Sequence, residues 1–377
     1  MKVLLISLLF MQFINLIAGG LDTYYKTYIQ QFGYKLEENS VTTDDGYILS
    51  IWHLRPKVPN GKIVFMQHGL ADTAWTFFEL EKNSLPFLLL KEGFDVWLGN
   101  IRGNIFSNRH VSKNPKYQKS GYSDYSIDNL VANDLPAMIK YVKSKTGNKK
   151  MTYIGYSQGT TIFFMNVMHN HTFAEESFDR FVALGTIPNI AYTKYGPFES
   201  LDQFGYIIKR LGIDDPLNLS DDQRSLLASF CDRAYYYCMT GFELATCIEP
   251  SGRYDFKKLY HYLYYYPGGF SKTLLSHWSQ IRQMKKLVYY NPNFDKEKTA
   301  KEYNTYFLKK WNIKSLITRS DHDTLSSYKD VSNFYSAVEN KSIIKILDLG
   351  NYCHTDCLFA ESAINEVFIP VIKFLKF

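Results

Sequence analysis

The sequence predicts an α/β protein: a mostly parallel sheet with helices on both faces and a helical cap inserted late in the chain. Three observations carry that expectation. Short β-rich runs alternate with helix-patterned segments through the first half, the alternation stops after Gly185, and it resumes at Ile313. The 377 residues suit one large α/β unit, and 46% apolar with 21% charged residues excludes disordered, collagenous and coiled-coil classes.

The first strands are expected at Ile48–His53, Lys62–Gln67 and Phe94–Leu98, each followed by Gly or Asn turn signals. Ser126–Ser144 reads as a helix, because Leu130, Leu135, Met138, Ile139 and Val142 recur at helical spacing and Pro136 sits near its first turns. A strand Met151–Gly155, an apolar helix Thr160–Met168 and a strand Phe181–Gly185 follow. From Pro188 to Lys310 no strand–helix rhythm survives, and tyrosines concentrate at Tyr235–Tyr237 and Tyr262–Tyr266. The rhythm returns as a strand Ile313–Thr318, a helix Asp330–Val338, a strand Ser342–Leu347 and a helix Ala360–Phe374. The expected organisation is therefore a core from 21–187 and 311–377, with 188–310 as a cap or lid.

Residues 1–20 combine Lys2, an apolar run from Val3 to Phe13 continued by Leu16 and Ile17, and the small residues Ala18, Gly19 and Gly20. This is the pattern of a secretory signal peptide, and no later stretch is long and apolar enough to span a bilayer. The expected location is the secreted or lysosomal lumen. Asn170, Asn218 and Asn340 head glycosylation sequons that suit such a compartment. A formal net charge of +6, scattered along the chain, gives no reason to expect a nucleic-acid partner. Nothing in the sequence identifies a protein partner.

Five cysteines form no scaffold in a chain this size, and their odd number leaves at least one without an internal partner. One local bridge is plausible among Cys231, Cys238 and Cys247. Their spacing matches no usual zinc pair, so no zinc site is expected from them. Cys353 and Cys357 read as small buried apolar residues rather than as a pair.

Gly155-Tyr156-Ser157-Gln158-Gly159 matches G-x-S-x-G between an apolar strand and an apolar helix. That context makes Ser157 a nucleophile rather than part of an ordinary glycine turn, because the strained turn needs small residues two positions to either side. A serine hydroxyl needs a histidine to take its proton and a carboxylate to hold the histidine in the right tautomer. On this kind of sheet the order along the chain is nucleophile, acid, histidine. The acid is expected after the strand that follows the insertion, at Asp321 or Asp323, and only His354 lies beyond it. His322, between the two acids, is read as a solvent or supporting residue, and His68 as structural because it precedes the nucleophile. Backbone N–H groups of Gln158 and of Leu70, which follows the strand into His68-Gly69, are expected to form the oxyanion hole.

With these residues in view, the chain resembles the acid lipase family of α/β-hydrolases over nearly its whole mature length. The resemblance rests on Gly155–Thr160, Gln67-His68-Gly69-Leu70, Asp95–Asn100 with Arg102-Gly103-Asn104, and Asp134–Ala137. Later matches are Pro267-Gly268-Gly269 with His277-Trp278, and Asp323 ahead of Asp330-Val331. It implies the α/β-hydrolase fold, a lid within the cap, Asp323 rather than Asp321 as the acid, and cofactor-free hydrolysis of lipid esters. Tyr156, Ile101 and Ser320-Asp321 depart from the family pattern. The expected function is a serine lipase that cleaves long-chain acyl esters such as triacylglycerol or steryl esters at a lipid–water interface. The alternatives are a non-catalytic, lipase-like lipid-binding or storage protein and, less favoured, a peptidase on the same scaffold.

Overall fold

The chain alternates strand and helix because its central strands are buried on both faces and must be covered twice. In a computed structural model, the described residues are 23–115, 120–193 and 215–376, apart from 216, 218, 235, 239, 241–245, 250–251 and 254–258. The expected leader 1–20, Asn218 and Tyr235 lie outside them. The strands are β1 (Leu36–Thr42), β2 (Tyr47–Leu54), β3 (Ile63–Gln67), β4 (Asp95–Gly99), β5 (Arg109–His110), β6 (Met151–Tyr156), β7 (Phe178–Leu184), β8 (Lys314–Arg319) and β9 (Ile344–Asp348). They form one sheet in the order β1-β2-β4-β3-β6-β7-β8-β9, with β5 on β2. Every pairing from β4 to β9 is parallel, whereas β2 pairs antiparallel with β1, β4 and β5.

Alternating residues feed two cores. Phe65, Trp97, Tyr153, Phe181 and Ile317 belong to one, and their neighbours Val64, Met66, Val96, Leu98, Ile154, Val182 and Leu316 to the other. The helices divide accordingly: α1 (residues 23–31), α2 (Leu85–Lys91), α3 (Leu135–Lys145), α4 (Gln158–His169), α5 (Asp221–Arg233), α6 (Lys272–Met284), α7 (Tyr328–Ala337) and α8 (Ile369–Lys376). Helices α3, α4, α6 and α7 bury residues in the first core, and α1, α2 and α8 in the second. Helix α1 binds far along the chain: Tyr24 Oη lies 2.9 Å from His261 Nδ1, and Tyr25 N donates to Tyr265 Oη at 3.2 Å.

The expected strands recur with shifted ends. The helix expected at Ser126–Ser144 is instead Ile127–Asn129, a wide π-type turn Leu130–Asp134, and then α3. The last helix starts at Ile364 rather than Ala360, again through a wide turn, Ile364–Phe368, before α8. Both wide turns precede a proline, Pro136 and Pro370. A proline has no N–H for the carbonyl four residues back and collides with it, and widening the turn relieves both problems.

The first wide turn delivers Asp134 to Arg102. Both side chains are 0% exposed and paired at 2.6 Å, while a second arm of the guanidinium meets Asp45 at 2.6 Å. The guanidinium also lies 3.8 Å from the centre of the Tyr47 ring. Arg102→Met, which leaves Asp134 buried and unpaired, is expected to lower the unfolding free energy by about 3–5 kcal/mol in chemical denaturation, and adding Asp134→Leu to recover most of it. A single variant within about 1 kcal/mol of wild type would show that the pair contributes little.

Candidate active site

Ser157 sits between β6 and α4 with φ +53°, a left-handed conformation that costs a non-glycine residue energy. Its N–H donates to Leu184 O at 2.9 Å, tying the elbow to β7. The flanking glycines are forced by close approach. A Cβ on Gly159 would lie 2.3 Å from the Gln67 carbonyl oxygen, and one on Gly155 would lie 2.8 Å from the Gly159 carbonyl carbon. The loop after β3 passes just as near, since a Cβ on Gly69 would lie 3.0 Å from Ser157 Cβ.

Leu70 and Gln158 therefore flank Ser157 from two elements. Gln158 opens α4, where the first N–H groups of a helix have no partner within it and the helix dipole is positive. Its side chain is held from the insertion, because Trp278 Nε1 donates to Gln158 Oε1 at 2.8 Å. The Leu70 loop is held from the same side: Ala71, at φ +56°, offers its carbonyl to Gly268 N at 2.7 Å. The sequence carried the signal for both contacts, Gly268 and Trp278, but not what they touch.

Asp323 and His354 meet at the C-terminal ends of β8 and β9. His354 Nδ1 lies 2.8 Å from Asp323 Oδ2, and both side chains are 3% exposed. The other carboxylate oxygen accepts from Leu325 N at 2.8 Å and Ser326 N at 2.7 Å. A carboxylate accepts, so the Nδ1–H faces Asp323 and the other ring nitrogen, Nε2, faces away from it. That Nε2 is buried and makes no hydrogen bond, including none to Ser157. The ring lies against the elbow nonetheless: its centre is 5.4 Å from that of Tyr156, and a Cβ on Gly185 would stand 2.9 Å from its Cε1. Asp321 is exposed and His322 only partly buried, so Asp323 is the acid that reaches the imidazole.

Residues 25–80 match the family described as a partial alpha/beta-hydrolase lipase region, and residues 62–356 match the alpha/beta hydrolase fold. Human lipase member K is 30% identical over 92% of this chain and 89% of its own length. Bovine gastric triacylglycerol lipase is also 30% identical, over the same shares of the two chains. An esterase from Exiguobacterium antarcticum has the same fold with TM-score 0.58 at 14% identity, covering 90% of this chain and 100% of that one. The chain belongs to the acid lipase family of α/β-hydrolases. It is, with that family, a carboxylic ester hydrolase.

One departure from the family pattern has a local explanation. Ser320 Oγ is within reach of Gly350 O at 3.0 Å and of Tyr352 O, and Asp321 N donates to Gly350 O at 2.7 Å, so this pair laces the acid loop to the histidine loop. The cysteines require a correction. Cys231 bonds Cys238, the local bridge the spacing allowed, and Cys357 is free and buried. Cys353, expected to be unpaired, instead bonds Cys247, 106 residues away in the insertion, a pairing that spacing does not reveal.

Two buried groups in the loop after β3 titrate oppositely. His68 Nδ1 donates to Gly69 O at 2.9 Å, while Nε2 accepts from Asn104 Nδ2 at 3.1 Å and Ile101 N at 3.3 Å, a structural arrangement. Burial pushes its pKa from 6.5 down to about 4. The unfolded chain then takes up a proton that the fold refuses, so this contribution is present above about pH 6.5 and fades toward pH 4. Burial pushes Asp72 from 3.8 up to about 7, only partly offset by the Thr73 amide at 2.8 Å. Its contribution is present below about pH 4 and is lost as the pH rises to about 7. Between those limits the two slopes oppose. Asp72→Asn should therefore gain stability relative to wild type as the pH rises from about 4 to 7, by at most about 1.4 kcal/mol per unit. Denaturation midpoints at about pH 5 and 7 check this, and a difference independent of pH would refute it.

Proposed function

We propose that the chain hydrolyses long-chain fatty acyl esters, such as triacylglycerol or steryl ester, at a lipid–water interface. Ser157 is the nucleophile, His354 the base and then the acid, Asp323 the group that orients the imidazole, and the N–H groups of Leu70 and Gln158 the oxyanion donors. The observation that carries this reading is the His354 imidazole, bonded through Nδ1 to Asp323 and buried beside the elbow with its Nε2 making no hydrogen bond. Nε2 takes the Ser157 proton as Oγ attacks the ester carbonyl. The negative oxygen then sits by the two N–H groups, and His354 returns the proton to the leaving alcohol. Water, deprotonated by the same nitrogen, frees the acid from the acyl-enzyme.

Residues 188–310 act as the cap and lid. Leu226 and Phe230 are one turn apart on α5 and 72% and 58% exposed, and Tyr236 and Tyr237 extend the apolar exposure, which suits a lipid surface better than a soluble ester. No described helix is long and apolar enough to cross a membrane. The two disulfides, the leader and the sequons at Asn170, Asn218 and Asn340 fit a secreted or lysosomal location.

The missing Ser157–His354 hydrogen bond favours a second reading, a lipid carrier without turnover, although such bonds are often long before substrate binds. A fluorophosphonate should label Ser157 in the wild type, not in Ser157→Ala, and about 100-fold or more slowly in His354→Ala. Emulsified long-chain triacylglycerol should turn over faster than a soluble short-chain ester. Lipid binding without labelling would establish the carrier.

A further inference from the structure

Both catalytic loops bond to one short piece of the insertion. Thr246 O accepts from His354 N at 3.1 Å and from Thr324 N at 3.4 Å, and Ile248 N donates to His322 O at 2.8 Å. Cys247 pairs with Asp323 as an isolated antiparallel β-bridge, and its sulfur bonds Cys353, the residue before the histidine. Thr246, Cys247 and Cys353 are all buried. Residues 246–248 thus lie as a strap between the acid loop and the histidine loop, with hydrogen bonds to both and a covalent bond to one.

We infer that Cys247 and Cys353 are positioning residues: their disulfide fixes the 246–248 strap, and the strap sets His354 against Asp323. This rests on the triad reading above. The need for such a device is physical. His354 sits in an irregular loop; its ring packs on Tyr156 and Gly185, and among the described residues its hydrogen bonds besides that to Asp323 are to the Thr246 carbonyl and from Cys357 Sγ to its own carbonyl at 3.3 Å. A misplacement of about 1 Å in a reacting group can cost about 100-fold in rate, and one hydrogen bond to Asp323 does not by itself fix where Nε2 points.

The test is Cys247→Ser with Cys353→Ser in the full chain, compared with wild type on p-nitrophenyl butyrate and on a fluorophosphonate probe. The expected result is a kcat lower by about 10- to 100-fold with KM within about twofold, and phosphonylation of Ser157 slowed in parallel. A kcat within about twofold of wild type, with only a lower melting temperature, would overturn the inference and leave the disulfide a stabilising staple. If the serine pair does not fold, Cys247→Ala with Cys353→Val keeps the site apolar and gives the same reading. Failure of both pairs to fold would also count against it, because the disulfide would then be a requirement of folding. One readout needs no turnover. The low-field Nδ1–H proton resonance of His354 should be present in wild type and broadened or lost in the variant, and its persistence unchanged would overturn the strap even in an inactive protein. An unlabelled wild type, by contrast, sinks the hydrolase reading alone.

Discussion

The close approach of α4 to the end of β3 governs the rest of the site. Gly159 comes so near the Gln67 carbonyl that no side chain fits there, and this proximity makes the turn from β6 into α4 one residue long. A turn that short holds Ser157 at positive φ. The same contact brings the residues after Gln67 beside the hydroxyl. Ser157 and the loop after Gln67 are therefore set by one backbone contact between the start of α4 and the end of β3.

Around that contact the protein replaces water with fixed polar partners. His68 spans Gly69, Ile101 and Asn104, and Asn100 Oδ1 accepts from both Ala74 N at 2.9 Å and Asn104 Nδ2 at 3.0 Å. Donors held this way need not reorganise when charge develops on the substrate oxygen, which is how preorganised sites lower barriers. The Arg102–Asp134 pair does the same beneath the loop, fixing the backbone at Arg102 through its N–H at 2.9 Å from Asp134 Oδ2.

What was legible in the sequence was what local pattern or chain order determines. The elbow was readable because its glycines and apolar flanks are contiguous, and His354 because no other histidine follows the acid. The two acids could not be separated by spacing, since Asp321 and Asp323 share one turn and differ only in which faces inward. Strand β1 escaped because it is a polar edge strand with only intermediate and exposed positions, which does not look like a buried parallel strand. The wide turns before Pro136 and Pro370 escaped because periodicity sees a continuous helix there. The Cys247–Cys353 bond and the Trp278–Gln158 contact join residues over 100 positions apart, and a single sequence holds no record of such pairs.

Helix α1 poses a problem of timing. Its partners His261 and Tyr265 lie 237 and 240 positions downstream of Tyr24 and Tyr25. At about 5–20 residues per second, a ribosome needs on the order of ten to fifty seconds to deliver them. For that interval the nascent amino-terminal segment can pack on Trp52, Trp75 and Phe106 but lacks the part of its docking surface that His261 and Tyr265 supply. A full-length chain diluted from denaturant has both surfaces from the outset, so renaturation in a test tube bypasses this delay.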